Sequence, residues 1–161
     1  MKPRVYIETT VLGYLTSRPS SDLIVAGRQK ITLDWWRSAV SVFDLIVSEL
    51  VQREAGAGDP QAVRDRLEAI KDLPSLAVSQ RAEDLALALI AGGAVPSTEP
   101  EDALHIALAV VNGVEFLVTW NFKHIANAAM RSKIQGVCIA EGYEPCTICT
   151  PEELLEPESD D

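Results

Sequence analysis

The sequence predicts an α/β domain built on a parallel sheet of about four to five strands. Two observations carry that prediction. Short apolar runs alternate with helical patterns from one end of the chain to the other, the order that βα units produce. The 161 residues, 47% of them hydrophobic, suffice for one domain with a substantial core and leave little room for a second.

The elements follow in order. Val5-Tyr6-Ile7 is a brief strand that runs into Glu8-Thr9-Thr10. Residues 22–40 read as a helix with Ile24, Ile31 and Trp35 near one face. A second strand spans 42–47, and Ser48 is placed to cap the helix that follows, which stops near Gly56 and Gly58. Asp59-Pro60 starts another helix, with Val63, Leu67 and Ile70 at i, i+4 and i+7. Residues 76–78 form a weak third strand. Ala82, Leu85, Ala86, Leu89 and Ile90 then mark a helix closed by Gly92-Gly93. Thr98 and Glu101 have capping-box spacing, ahead of a helix with Ala103, Ile106, Ala107 and Val110 on one face. Residues 116–119 are a fourth strand. The polar stretch 120–124 leads to a last helix ending near Gly142, and 146–149 is a final strand before a capped terminal turn. Residues 1–155 are expected to form the domain and 156–161 a disordered acidic tail.

Charge and cysteines narrow the function classes. The net charge of −10 disfavours constitutive nucleic-acid binding, but six of the acids crowd into residues 151–161. The remaining 150 residues hold 18 acids against 14 Lys and Arg, a net of only −4. Cys146 and Cys149 form a CxxC that lacks the second pair a zinc site needs and that sits in a strand pattern, so these and Cys138 read as ordinary small residues. No run approaches the roughly 18 apolar residues of a membrane helix. Glu8-Thr9-Thr10 interrupts the position where a signal peptide has its apolar region, so a cytoplasmic protein is expected.

Four polar groups fall where chemistry occurs in such folds. Glu8 follows the first strand, Glu54 lies on the helix after the second, Asp102 occupies the first turns of a helix, and Asn121 follows the fourth strand. In an open parallel sheet, ligands bind beyond the carboxyl ends of the strands near the reversal of strand order. Three carboxylates and an amide oxygen are hard donors, suited to Mg²⁺ or Mn²⁺ and poor for zinc. Such a centre lowers the pKa of a coordinated water and offsets charge on a phosphodiester. Periodicity alone leaves other roles open. Asp102 suits a helix-dipole charge, as does Glu101. Glu54 suits a solvated helix face, with Glu49 as a competitor, and Asn121 suits a turn. Glu8 is the least easily explained away, because a carboxylate right after a buried strand needs a partner.

Several segments, in order, resemble a known family. Tyr6-Ile7-Glu8-Thr9-Thr10-Val11-Leu12 is similar to the opening motif of PIN-domain ribonucleases of the VapC toxin type, a strand ending in an acid and hydroxyl residues. Ser48, Glu54 and Gly58 resemble the second motif, and Glu101-Asp102-Ala103-Leu104-His105-Ile106-Ala107 resembles the third. Leu117-Val118-Thr119-Trp120-Asn121-Phe122 resembles the fourth, and Ile148 to Leu154 resembles the closing strand and turn.

The resemblance implies a three-layer α/β/α PIN-like fold and Mg²⁺- or Mn²⁺-dependent cleavage of RNA by the toxin of a toxin–antitoxin pair. It also implies a cognate antitoxin and a homodimer, while the lack of a long apolar run leads to the expectation of no membrane. By position, Glu8, Glu54 and Asp102 would be metal ligands and Asn121 would complete the catalytic set. Thr10, Ser48 and Thr119 would support it, and Trp120, Lys123 and His124 would meet substrate. His105, one turn from Asp102, could touch substrate or pair with an acid, but reads chiefly as a packed structural histidine. Two departures stand out. Glu8 replaces the usual Asp, and Asn121 replaces an acid and cannot act as a base. They motivate an alternative, a degenerate PIN domain that binds protein or RNA without cutting. An acidic-pocket phosphatase is a third reading.

Overall fold

The computed structural model describes residues 1–155. The expectation of a disordered tail at 156–161 lies outside the described residues. Five parallel strands form one sheet: β1 (Arg4–Ile7), β2 (Asp44–Ser48), β3 (Ser75–Leu76), β4 (Phe116–Val118) and β5 (Thr147–Cys149). The helices are α1 (Thr9–Thr16), α2 (Leu23–Val42), α3 (Glu49–Ala55), α4 (Pro60–Ile70), α5 (Gln80–Ala91), α6 (Pro100–Val111) and α7 (Ala128–Ala140), and a 3₁₀ turn covers Glu152–Leu154.

The strand order is β3-β2-β1-β4-β5. The chain builds outward from β1 through β2 to β3, then returns to the other side of β1 with β4. The order therefore reverses between β1 and β4, where the register pairs Tyr6 with Leu117 and Ile7 with Val118. Parallel strands covered on both faces read as continuous apolar runs. Val5, Tyr6, Ile7, Leu117 and Val118 are accordingly all fully buried. Helix α6 is buried nearly all round, with His105 and every residue from Ile106 to Val110 inaccessible, as a helix apolar on several faces should be. Among the described residues no helix is long and apolar enough to cross a membrane.

Several boundaries differ from the sequence reading. Helix α1 is absent from it. Thr9, Thr10 and Val11 are β-branched and Gly13 is a poor helix former, so the pattern looks like more strand. The helix forms because Glu8 caps it, accepting from Thr10 N, and because Val11 and Leu12 pack into the core. Helix α2 continues through Val42, displacing the start of β2 to Asp44. Its buried face is Thr32, Trp35 and Ala39, while Ile24 lies 68% exposed. On α4, Ile70 is buried but Leu67 faces solvent. Strand β3 is Ser75–Leu76, because Val78 N turns away from the ladder to Glu49 Oε2 at 3.1 Å. The expected capping box at Thr98 does not form: Glu99 is the N-cap, it makes no side-chain cap bond, and Pro100 starts α6. The cap at Ser48 is present as anticipated, and Asp59 caps α4, which starts at Pro60. All three cysteines are free and buried, and burial pushes the thiols up, Cys138 to about 11 and Cys146 and Cys149 to about 12.

Candidate functional site

The carboxyl ends of β1 and β4 sit side by side, so the first residues beyond them meet. Glu8 N donates to Val118 O at 3.1 Å, which extends the ladder by one step and sets Glu8 next to Thr119. The Glu8 side chain is 4% exposed, and three donors hold it there. Oε1 accepts from the hydroxyls of Thr10 and Thr119, each at 2.5 Å, and Oε2 accepts from Thr10 N at 3.0 Å. Each hydroxyl is itself oriented from behind. Thr10 Oγ1 accepts from Trp120 N at 3.0 Å, and Thr119 Oγ1 accepts from Asn121 N at 2.9 Å. A buried carboxylate needs this many partners to stay buried.

Glu54 reaches the same region from the last turn of α3. Its Oε1 accepts from Thr9 Oγ1 at 2.7 Å and pairs with His105 Nε2 at 2.6 Å. Behind it, His105 Nδ1 lies 2.7 Å from the Tyr6 hydroxyl, which lies 2.8 Å from Ser48 Oγ. Burial pushes the Glu54 carboxyl up, but the His105 bond and charge and the Thr9 hydroxyl outweigh it and hold Glu54 below the usual carboxylate range. Burial also raises Tyr6 well above an ordinary phenol, so its hydroxyl stays protonated.

Asp102 is the third residue of α6, after Pro100 and Glu101. Its Oδ1 accepts from Asn121 Nδ2 at 3.1 Å, and its Oδ2 pairs with His124 Nδ1 at 2.8 Å. Asn121 therefore uses its amide nitrogen on Asp102, while its carbonyl oxygen accepts from His124 N at 3.0 Å. Glu99, Asp102 and His124 each offer a ligand atom within 4.8 Å of the others. Glu8 and Glu54 stand outside that tight group.

Those contacts close into a ring. Glu8 bonds Thr119, Thr119 bonds Asn121 N, and Asn121 bonds Asp102. One turn of α6 leads to His105, which bonds Glu54. Glu54 bonds Thr9, the chain neighbour of Glu8. The four residues singled out from the sequence thus border one patch at the reversal of strand order. Among the described residues no Lys or Arg forms an ion pair with Glu8, Glu54 or Asp102; their partners are hydroxyls, an amide and two histidines. Three carboxylates without a Lys or Arg ion pair make an oxygen-rich set that fits a hard divalent ion.

Three comparisons bear on this arrangement. The sequence matches no protein-family model and no curated protein. A solved structure of VapBC2 from Rickettsia felis, bound to a DNA fragment from their promoter, contains a chain that superposes with a TM-score of 0.57 at 12% identity. The match covers 91% of this chain and 98% of that one. The chain has a PIN-like fold. Identity this low carries the architecture, and the architecture is what brings Glu8, Glu54, Asp102 and Asn121 of the PIN-like chain to one end of its sheet.

The residues named as supports lie in the network. Thr10 and Thr119 hold Glu8, and Ser48, fully buried, caps α3 at Val51 N and touches Tyr6. Trp120 is 6% exposed, and its indole nitrogen donates to Thr32 Oγ1 at 2.8 Å, so its ring faces the protein interior. Lys123 is exposed beside the patch. Glu99 escaped sequence reasoning, although it stands three residues before Asp102. Of the sequence readings of His105, pairing with an acid is the one observed, and the acid is Glu54 rather than the neighbouring Asp102.

Proposed function

We propose that the protein is a Mg²⁺- or Mn²⁺-dependent endoribonuclease, the toxin of a toxin–antitoxin pair, with Glu8, Glu54 and Asp102 as the metal-holding carboxylates. The observation that carries the reading is the ring of hydrogen bonds and chain links that borders all three at the switch point of a parallel sheet, with no lysine or arginine ion-paired to them among the described residues. A divalent ion there would lower the pKa of a coordinated water and offset charge on a phosphodiester.

The chain's own residues prepare that chemistry. Thr10 and Thr119 prevent Glu8 from changing rotamer. Glu54 keeps Oε2 free of protein partners among the described residues. Asn121 locks Asp102 from the β4 side and, being an amide, leaves proton removal to other groups. Lys123, exposed two residues beyond Asn121, supplies a charge for a flanking phosphate. The VapBC2 assembly supports a protein antitoxin as the partner, and a homodimer acting on cytoplasmic RNA completes the proposal.

The test is cleavage of a mixed RNA substrate and growth inhibition on expression, for wild type, Glu8→Gln and Asp102→Asn. Both variants should fold and lose both activities, and full activity in either rejects the assigned site. One observation favours a non-cutting domain instead. Glu8 is 4% exposed and already takes three protein donors. Calorimetry separates the two readings: heat on Mn²⁺ addition supports the nuclease, and none at millimolar metal supports the binding module.

A further inference from the structure

His105 is fully enclosed, at 1% exposed, yet it is not packed only as a space-filler. Both ring nitrogens have partners on other elements. Nε2 faces Glu54 Oε1 on α3 at 2.6 Å, and Nδ1 faces the Tyr6 hydroxyl on β1 at 2.7 Å. The Tyr6 ring meets the imidazole edge-on with centroids 5.8 Å apart. Ser48 Oγ, 2.8 Å from the Tyr6 hydroxyl, anchors the far end of this chain at the N-cap of α3, the helix that carries Glu54. The chain thus leaves α3 at Ser48 and rejoins it at Glu54.

The proton on Nε2 follows from what each atom can do. An ionised carboxylate only accepts, so the 2.6 Å contact requires hydrogen on Nε2. The Tyr6 phenol then either donates to a neutral Nδ1 or accepts from a charged one, and Ser48 satisfies it in both cases. Oε1 of Glu54 is meanwhile occupied twice, by His105 and by Thr9. Oε2 takes no hydrogen bond from the described residues, and the Glu54 side chain is 34% exposed. One oxygen is pinned, and the other has no hydrogen-bond partner among the described residues on a side chain that is about one-third exposed.

We propose that His105, braced by Tyr6 and Ser48, is a positioning residue that pins Oε1 of Glu54 and leaves Oε2 as the oxygen offered to an incoming ligand. The ligand is a divalent cation on the nuclease reading, on which this identification rests. Partners behind a metal ligand typically govern affinity or activity by about 10- to 100-fold, which sets the scale of the effect. A histidine serving only to fill the core would have no such influence once the volume was restored.

Two measurements decide it. The first is Mn²⁺ affinity by calorimetry for wild type, Tyr6→Phe, His105→Leu and His105→Gln. Gln can place a side-chain N–H near the Nε2 position, and Leu cannot. His105→Leu should weaken Mn²⁺ about 10- to 100-fold, His105→Gln should recover most of that loss, and Tyr6→Phe should fall between. Equal affinity for Leu, Gln and wild type, all folded, overturns the proposal.

The second needs no metal and no activity. In ¹⁵N-histidine-labelled wild type, His105 should show a slowly exchanging, downfield imidazole Nε2–H proton, and Glu54→Ala should remove or shift it strongly. Absence of that signal in wild type, or its persistence unchanged in Glu54→Ala, overturns the positioning role whatever the cleavage assay gives. The signal with no Mn²⁺ heat in wild type upholds the positioning and rejects the nuclease reading alone.

Discussion

Thr119→Val removes one oxygen from the centre of the ring while keeping the side chain's shape. Thr119 is fully buried, and its hydroxyl has two tasks, donating to Glu8 Oε1 and accepting from Asn121 N. The first is a bond to a buried carboxyl, and such bonds to charged groups contribute about 1.5–3 kcal/mol. The second leaves a part-buried N–H without its acceptor, a cost of about 1–3 kcal/mol when water cannot replace it. Glu8 retains Thr10 N and the Thr10 hydroxyl, so its loss lies near the lower end. Asn121 is partly accessible, so water recovers some of the second term. The expected total is about 2–3 kcal/mol, a large fraction of the ~5–15 kcal/mol stability of a typical domain. Urea denaturation with an unchanged m-value measures it directly. Thr147→Val, at an exposed position on β5, is the control and should stay within about 0.5 kcal/mol. A Thr119→Val change as small as the control's would mean that the hydroxyl does not hold Glu8 and that the ring is not a coupled unit.

The Glu54 carboxyl, held below its ordinary value of 4.5, binds fewer protons folded than unfolded. Its contribution to stability is therefore complete above about pH 4.5 and is lost as pH falls through the lower, folded value. Glu54→Gln should flatten the acid limb of a stability–pH profile, and an unaltered limb would contradict the pairing with His105. The raised thiols predict slow alkylation. At pH 8 iodoacetamide should leave Cys138, Cys146 and Cys149 largely unmodified in native protein and modify all three in urea, read by mass spectrometry; rapid native labelling would contradict their burial. Gly113 adopts φ +66°, with the site of an added Cβ 3.4 Å from Arg4 Nη2. Gly113→Ala should therefore destabilise by about 1 kcal/mol, and a stabilised variant would refute that strain.

What the sequence made legible depended on whether the deciding contact was local. Glu8 was conspicuous because a carboxylate directly after Val5-Tyr6-Ile7 has no benign place to go. The cap at Ser48 and the helix start at Asp59-Pro60 were legible because the deciding atoms lie within three residues. Helix α1 was not, since Thr9, Thr10 and Val11 favour strand and only the distant packing of Val11 and Leu12 makes them helical. The roles around Glu54 were equally hidden. Its partners Thr9 and His105 lie 45 and 51 residues away, and no spacing rule connects them. Trp120 illustrates the opposite error. A tryptophan at a strand end near the site suggested contact with substrate, but Thr32, 88 residues earlier, captures its indole nitrogen and draws the ring inward.

The most direct test is a crystal of the protein soaked in Mn²⁺, with anomalous scattering locating the metal. The account predicts a peak in the patch bordered by Glu8, Glu54 and Asp102, with Glu54 Oε2 among the coordinating or water-bridged oxygens. A peak held only by Glu99, Asp102 and His124, or no peak at saturating metal, would contradict it.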